Sequence, residues 1–151
     1  MDSMSSETQG RSERSVKSAF DIVPTGRSIG AEIRGADLRV LGPDEVHAVR
    51  AAWNEHQVLL FRGQSLTFED LLVFSRHFGD LELAPIQENG RQFVEGHPEI
   101  YVVSNVVENG VAIGSLGSGE AVWHSDMTYV DDPPNASALY AVEVPPTGGD
   151  T

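Results

Sequence analysis

The apolar residues of this chain recur with different periods in different stretches. Ile29, Ala31 and Ile33 alternate with Gly30, Glu32 and Arg34. Side chains along a strand face alternate sides, so this spacing predicts a strand with one apolar face. A helix is predicted from Pro43, because proline suits the first turn and Asp44 and Glu45 complement the N-terminal dipole. Val46, Val49 and Trp53 form its apolar stripe. Gln57 to Phe61 reads as a strand ending at Arg62-Gly63. Thr67 is placed to cap a second helix, with Asp70 as the reciprocal partner of a capping box. Phe68, Leu71, Leu72, Ser75 and Phe78 mark the inner face of that helix, and Gly79 stops it.

Beyond the second helix the pattern loosens. Residues 80–98 are loop-like, with Pro85, Gly90, Gly96 and Pro98. Glu99 to Val107 is β-branched and alternates at its start, which predicts a strand. Val111 to Gly119 is rich in glycine and serine and reads as a flexible loop. Ala136 to Val142 reads as a buried strand. Residues 1–18 are polar, rich in Ser, Glu and Arg, and bury too little apolar surface to order themselves. They are expected to be a disordered tail ahead of one folded region, 19–151. No internal repeat is present. Periodicity alone gives a mixed α and β chain.

Composition narrows the function classes. The 151 residues carry a formal net charge of -13, which lacks the basic footprint of a nucleic-acid binder and would be repelled by anionic lipid. There are no cysteines, so disulfides, thiolate catalysis and cysteine-based metal sites are excluded. The N-terminus has no apolar core of a secretory signal, and no run approaches the roughly 18 apolar residues of a membrane span. A cytoplasmic protein with neither nucleic-acid nor membrane partners is expected.

The candidate chemistry lies between Trp123 and Thr151. His124 and Asp126 are two apart, so an extended segment aims both side chains the same way. One imidazole and one carboxylate are two thirds of the facial triad that holds non-haem Fe(II). The bare tripeptide reads equally well as a surface histidine beside a turn carboxylate. The glycines of 111–119 lack the G-K-[ST] ending of a phosphate-binding loop. By itself, Pro145-Pro146-Thr147-Gly148-Gly149-Asp150-Thr151 is a glycine-rich turn.

Taken together these stretches resemble the taurine dioxygenase (TauD/TfdA) family of Fe(II)/2-oxoglutarate-dependent dioxygenases. The matching runs are IGAEIRGADL, QVLLFRGQSLTFEDLLVFSRHFGDL, Trp123-His124-Ser125-Asp126, the Asp131-Asp132-Pro133-Pro134 break, the strand after it and Gly148-Gly149-Asp150-Thr151. The resemblance implies an α+β, mainly β fold: a double-stranded β-helix, the cupin-like jelly roll, with N-terminal helices and only partly present in this chain. It implies Fe(II) as metal, with His124 and Asp126 as ligands and a third histidine on a later strand. No histidine follows His124 in the sequence, so the chain is expected to be the N-terminal part of such a domain, neither active nor stably folded alone. His47, His56 and His77 are expected to be structural, and His97 has no assigned role.

The resemblance also implies the reaction. The co-substrate 2-oxoglutarate loses carbon dioxide to give succinate while O2 supplies the hydroxyl for a substrate C–H bond. Thr151 inherits the hydroxyl that holds the co-substrate's distal carboxylate. Ala84 and Gln87 stand where the taurine enzyme has a histidine and a tyrosine for its substrate, and Glu120 falls near its asparagine. These departures argue against taurine without naming a replacement; the resemblance implies a small organic, anionic substrate. Self-association into a homo-oligomer stays open. Two further readings stand beside this one: a non-catalytic binding or scaffold paralogue that kept the fold and lost the triad, and a metal-dependent cupin of another class, such as an isomerase.

Overall fold

The computed structural model describes residues 20–86, 90, 92–116, 124–127, 129–144 and 146–147. The predicted tail, 1–18, lies outside them. The chain divides into two compact units, Met1–Ala36 with Gly42–Arg62 and Asp37–Leu41 with Gly63–Thr151.

The first unit is a three-stranded sheet with one helix. Strand β1 (Asp21–Pro24) pairs antiparallel with β2 (Ala31–Arg34), and β2 pairs parallel with β3 (Leu59–Phe61). The parallel pair needs a crossover, which helix α1 (Pro43–His56) supplies. Ala31 and Ile33 bury the alternate positions of β2, and Val49 and Ala52 bury one side of α1. Val46 and Trp53 of the expected stripe are half-buried, so the apolar face is centred on Val49 and Ala52.

Two differences from the sequence expectation appear here. Ile29 is exposed and precedes the strand, because residues 25–30 close a turn. Thr25 drives that closure: its N–H donates to the Gly30 carbonyl (3.0 Å) and its hydroxyl to the Ile29 carbonyl (2.8 Å). Gly30 then enters the strand at φ 98°, a conformation open to glycine. The third strand begins at Leu59 rather than Gln57, because Gln57 is the helix C-cap, at φ 65°, and its N–H donates to the Trp53 carbonyl (2.7 Å).

The second unit contains helix α2 (Phe68–Arg76) and four two-residue strands, β4 (Val103–Ser104), β5 (Val107–Glu108), β6 (Val111–Ala112) and β7 (Ser115–Leu116). The capping box forms as the sequence predicts. The Thr67 hydroxyl accepts the Asp70 N–H (3.2 Å), and the Asp70 carboxylate accepts the Thr67 N–H (2.8 Å). Leu72 and Phe74 are the buried positions of α2. Phe74 was not among the expected inner residues; it packs edge-on against Phe78, with centroids 5.2 Å apart. Phe68, expected inside, is 48% exposed, since it opens the helix and turns its ring toward His97 instead.

The expected strand over Glu99–Val107 is broken into β4 and β5. The expected loop over Val111–Gly119 contains β6 and β7, with 117–119 outside the described residues. Strands β5 and β6 form a hairpin through Asn109 and Gly110, both at positive φ (51° and 81°), as a tight two-residue turn demands. Strands β4 and β7 pair in parallel. Gly114 makes this possible. A Cβ there would lie 2.7 Å from the Val102 carbonyl oxygen and 2.8 Å from Ser104. Its glycine therefore serves close backbone approach rather than looseness. Residues 136–142 form no ladder among the described residues, and Leu139 and Val142 are 77% and 84% exposed. A strand needs a partner to satisfy its N–H and C=O groups, and none pairs with this stretch among the described residues. The jelly-roll sheets are likewise not assembled among them.

Candidate functional site

The segment carrying the candidate ligands is local in origin. His124 and Asp126 flank Ser125 where the chain enters a turn, and the side chains meet: Nε2 of His124 lies 2.9 Å from Oδ1 of Asp126. Two donor atoms are thus brought to one point, in a turn rather than in the extended segment expected. Their side chains are 69% and 63% exposed, so the point they define is accessible.

The separation tests whether the pair suits a metal. Two adjacent ligands on a cation with bonds of about 2.1 Å at a right angle lie about 3.0 Å apart. The observed 2.9 Å is compatible with that spacing and is also the length of an ordinary hydrogen bond. A neutral imidazole and a carboxylate are also the donor types that Fe(II) takes in a facial site. A cation held by both atoms would replace the hydrogen bond between them and would require Nε2 to carry no proton. Among the described residues no third His, Cys, Asp or Glu joins them.

Just beyond the pair the backbone is strained. Met127 adopts φ 51°, a left-handed conformation that costs an L-residue roughly 1–2 kcal/mol, and its carbonyl accepts the Val130 N–H (3.2 Å). Such strain persists where surrounding structure over-determines it, often at functional sites. The sequence offered no warning, since methionine carries no preference for this conformation.

The other expected site residues are scattered. Ala84 is half-buried, and its N–H donates to the Pro98 carbonyl (2.9 Å). Gln87, Glu120, Thr151 and Trp123 lie outside the described residues. His56 pairs loosely with Glu55 (3.9 Å), and His77 caps the C-terminus of α2; neither approaches a second metal-binding side chain in a cluster of three among the described residues. Among the described residues no helix is long and apolar enough to cross a membrane.

Comparison with known proteins gives this geometry its context. The family described as taurine catabolism dioxygenase TauD, TfdA matches residues 20–151. An alpha-ketoglutarate-dependent 2,4-dichlorophenoxyacetate dioxygenase of Cupriavidus pinatubonensis is 36% identical over 129 residues, covering 80% of this chain and 45% of its own length. An alpha-ketoglutarate-dependent sulfate ester dioxygenase of Pseudomonas putida is 35% identical over 134 residues, covering 87% of this chain and 40% of its own. A crystal structure of a Burkholderia xenovorans protein, described as an alpha-ketoglutarate-dependent taurine dioxygenase, superposes with a TM-score of 0.50 and 39% identity. The superposition covers 59% of this chain and 31% of that one. The chain spans less than half the length of these relatives. With 132 consecutive residues matched (20 to 151 inclusive), it belongs to the taurine catabolism dioxygenase TauD, TfdA family.

Proposed function

We propose that the protein containing this chain is an Fe(II)- and 2-oxoglutarate-dependent dioxygenase that hydroxylates a small organic anion. The observation that carries this is the 2.9 Å approach of His124 Nε2 to Asp126 Oδ1 within the stretch that matches the family. The chain's own residues divide the work. His124 and Asp126 hold the cation on one side, His124 through a neutral nitrogen and Asp126 through a charged oxygen. The Thr151 hydroxyl donates a hydrogen bond to the distal carboxylate of 2-oxoglutarate. Ala84, Gln87 and Glu120 face the substrate. Bound Fe(II) supplies the oxygen chemistry: R–H, O2 and 2-oxoglutarate become R–OH, succinate and CO2. A further histidine ligand and an arginine for the co-substrate belong to this reading, and neither residue type occurs after His124 in the sequence.

The domain is read as a double-stranded β-helix, entered near residue 19. Its substrate is an anion other than taurine. Ala84 brings a methyl group where a taurine site needs a donor, and a buried anion without donors is costly. Relatives named for a phenoxyacetate and for sulfate esters support an acid of that kind.

The test is anaerobic titration of the full-length protein with Fe(II) and 2-oxoglutarate, followed by succinate assays with aryloxy acids, alkyl sulfates and taurine. A saturable charge-transfer band, absent in His124→Ala, together with succinate release above taurine levels, is the expected result. An unchanged band in His124→Ala would overturn the assignment.

A further inference from the structure

The loop that follows α2 closes on itself. It leaves past Gly79 and returns at Pro98, whose carbonyl accepts the Ala84 N–H (2.9 Å). This neck is moored to α2 at two points. The ring of His97 rests on that of Phe68, with centroids 5.7 Å apart and planes at 56°. Glu99 lies 3.8 Å from Arg76 across an ion pair. The main chain at His97 is fixed as well: its N–H donates to the Val94 carbonyl and its carbonyl accepts the Ile100 N–H, both at 3.1 Å. His97 therefore has a defined place, beside the residue that bonds to Ala84.

Its side chain is half-buried, with an aromatic ring on one face. Among the described residues no side chain or backbone group hydrogen-bonds to its ring nitrogens. A neutral imidazole always has one N–H to give. The nearby cation of Arg76 is already engaged by Glu69 and Glu99. In a chain of net charge -13, an anionic ligand depends on a donor supplied locally.

We propose that His97 is a specificity-determining residue, donating a ring N–H to the anionic head of the substrate from across the loop neck, where Ala84 contributes only a methyl group. This rests on the reading of Ala84 as a substrate-facing residue. The shared ligand chemistry is an oxyanion, carried by a carboxylate or by a sulfate ester. A hydrogen bond to a charged acceptor is stronger than a neutral one, so the contact favours acids over their neutral analogues. Phe68 holds the ring in place, and its role is positional.

The experiment uses the full-length protein with phenoxyacetate, hexyl sulfate and the neutral phenoxyethanol, following succinate. His97→Phe keeps the ring contact with Phe68 and removes the donor; His97→Gln restores a donor. The KM of the preferred acid should rise about tenfold in His97→Phe, the worth of one charge-assisted hydrogen bond. Its kcat and the KM for 2-oxoglutarate should stay within about twofold. His97→Gln should recover part of the loss, and phenoxyethanol should be unaffected. Whichever acid shows the shift identifies the head group. Equal KM values in wild type and His97→Phe, or equal shifts for acid and neutral compounds, overturn the proposal and leave His97 as a packing residue. Absence of turnover by wild type with every acid overturns the proposed function and this inference together.

Discussion

The sheet of β1, β2 and β3 with α1, and the segment from His124 to Val144, are built on opposite principles. In the first, Ala31, Ile33, Val49 and Ala52 are buried, and Val49 is 0% exposed. In the second, Tyr129, Leu139, Val142 and Val144 are all exposed, while two polar side chains meet at a point. The first region derives its stability from area removed from water, roughly 25 cal/mol per Å². The second concentrates donor atoms and a left-handed Met127. The contrast teaches that the chain keeps its stabilising residues and its candidate chemistry on different stretches. Damage to one should therefore be separable from damage to the other.

The largest expected effect tests that separation from the chemical side. Asp126→Ala removes the only charge of the donor pair, and Fe(II) affinity of the full-length protein should fall by at least about a hundredfold, the upper range seen when mere supporting groups of a metal site are lost. Its thermal midpoint without metal should stay within about 1 °C, because an exposed side chain away from packing changes stability little. A matching drop in the midpoint would show that the pair is structural.

Val49→Ala tests the contrast from the other side. Two methyl groups leave a fully buried site, at a cost of about 2 kcal/mol from lost burial and the residual cavity. The midpoint of denaturant unfolding should fall with its slope unchanged, and Fe(II) affinity of the folded fraction should not move. Weaker metal binding at equal folded fraction would couple the two regions.

Gly114→Ala tests a close backbone approach that belongs to neither of those two stretches. The added methyl would collide with the Val102 carbonyl and Ser104, and relief requires β4 and β7 to part, costing about 1–3 kcal/mol. Amide exchange at Ser115, whose N–H donates to the Val102 carbonyl, should accelerate more than exchange in α1. Unchanged protection at Ser115 would show that the approach is not required.

The smallest effect is electrostatic. The guanidinium of Arg39 grips the Asp37 carboxylate (2.7 and 2.9 Å) and the Arg39 N–H adds a third bond (3.0 Å). These hold the carboxyl down from an ordinary 3.8 to about 2, first through the side-chain bond and then the backbone one. A depressed folded value means the contribution is fully present above the ordinary value and is lost as pH falls from there through about 2. The pair is exposed, so the effect on global stability should be slight. Carboxyl chemical shifts should place Asp37 near 2 in the wild type and higher in Arg39→Gln; equal values would rule out the grip.

What the sequence determined by itself was whatever a few neighbouring residues decide among themselves. Pro43 and the acidic first turn started α1. Thr67 and Asp70 capped α2, since both partners of the box lie three residues apart. His124 and Asp126 met two residues apart, where the chain enters a turn. Tertiary structure decided everything that requires a partner from elsewhere in the chain. β1 is a strand because β2 lies beside it, and 136–142, apolar as it is, is not one among the described residues. Gly114 was read as part of a flexible loop and is a contact, because Val102 approaches it from twelve residues away. His97 had no role assigned from the sequence, and its contact with Phe68 and its place next to the Ala84–Pro98 bond are tertiary. Capping boxes and alternation are written in local dihedral preferences; ladders and loop necks depend on which distant backbone groups find each other, and the residue pattern does not encode that choice on either strand alone.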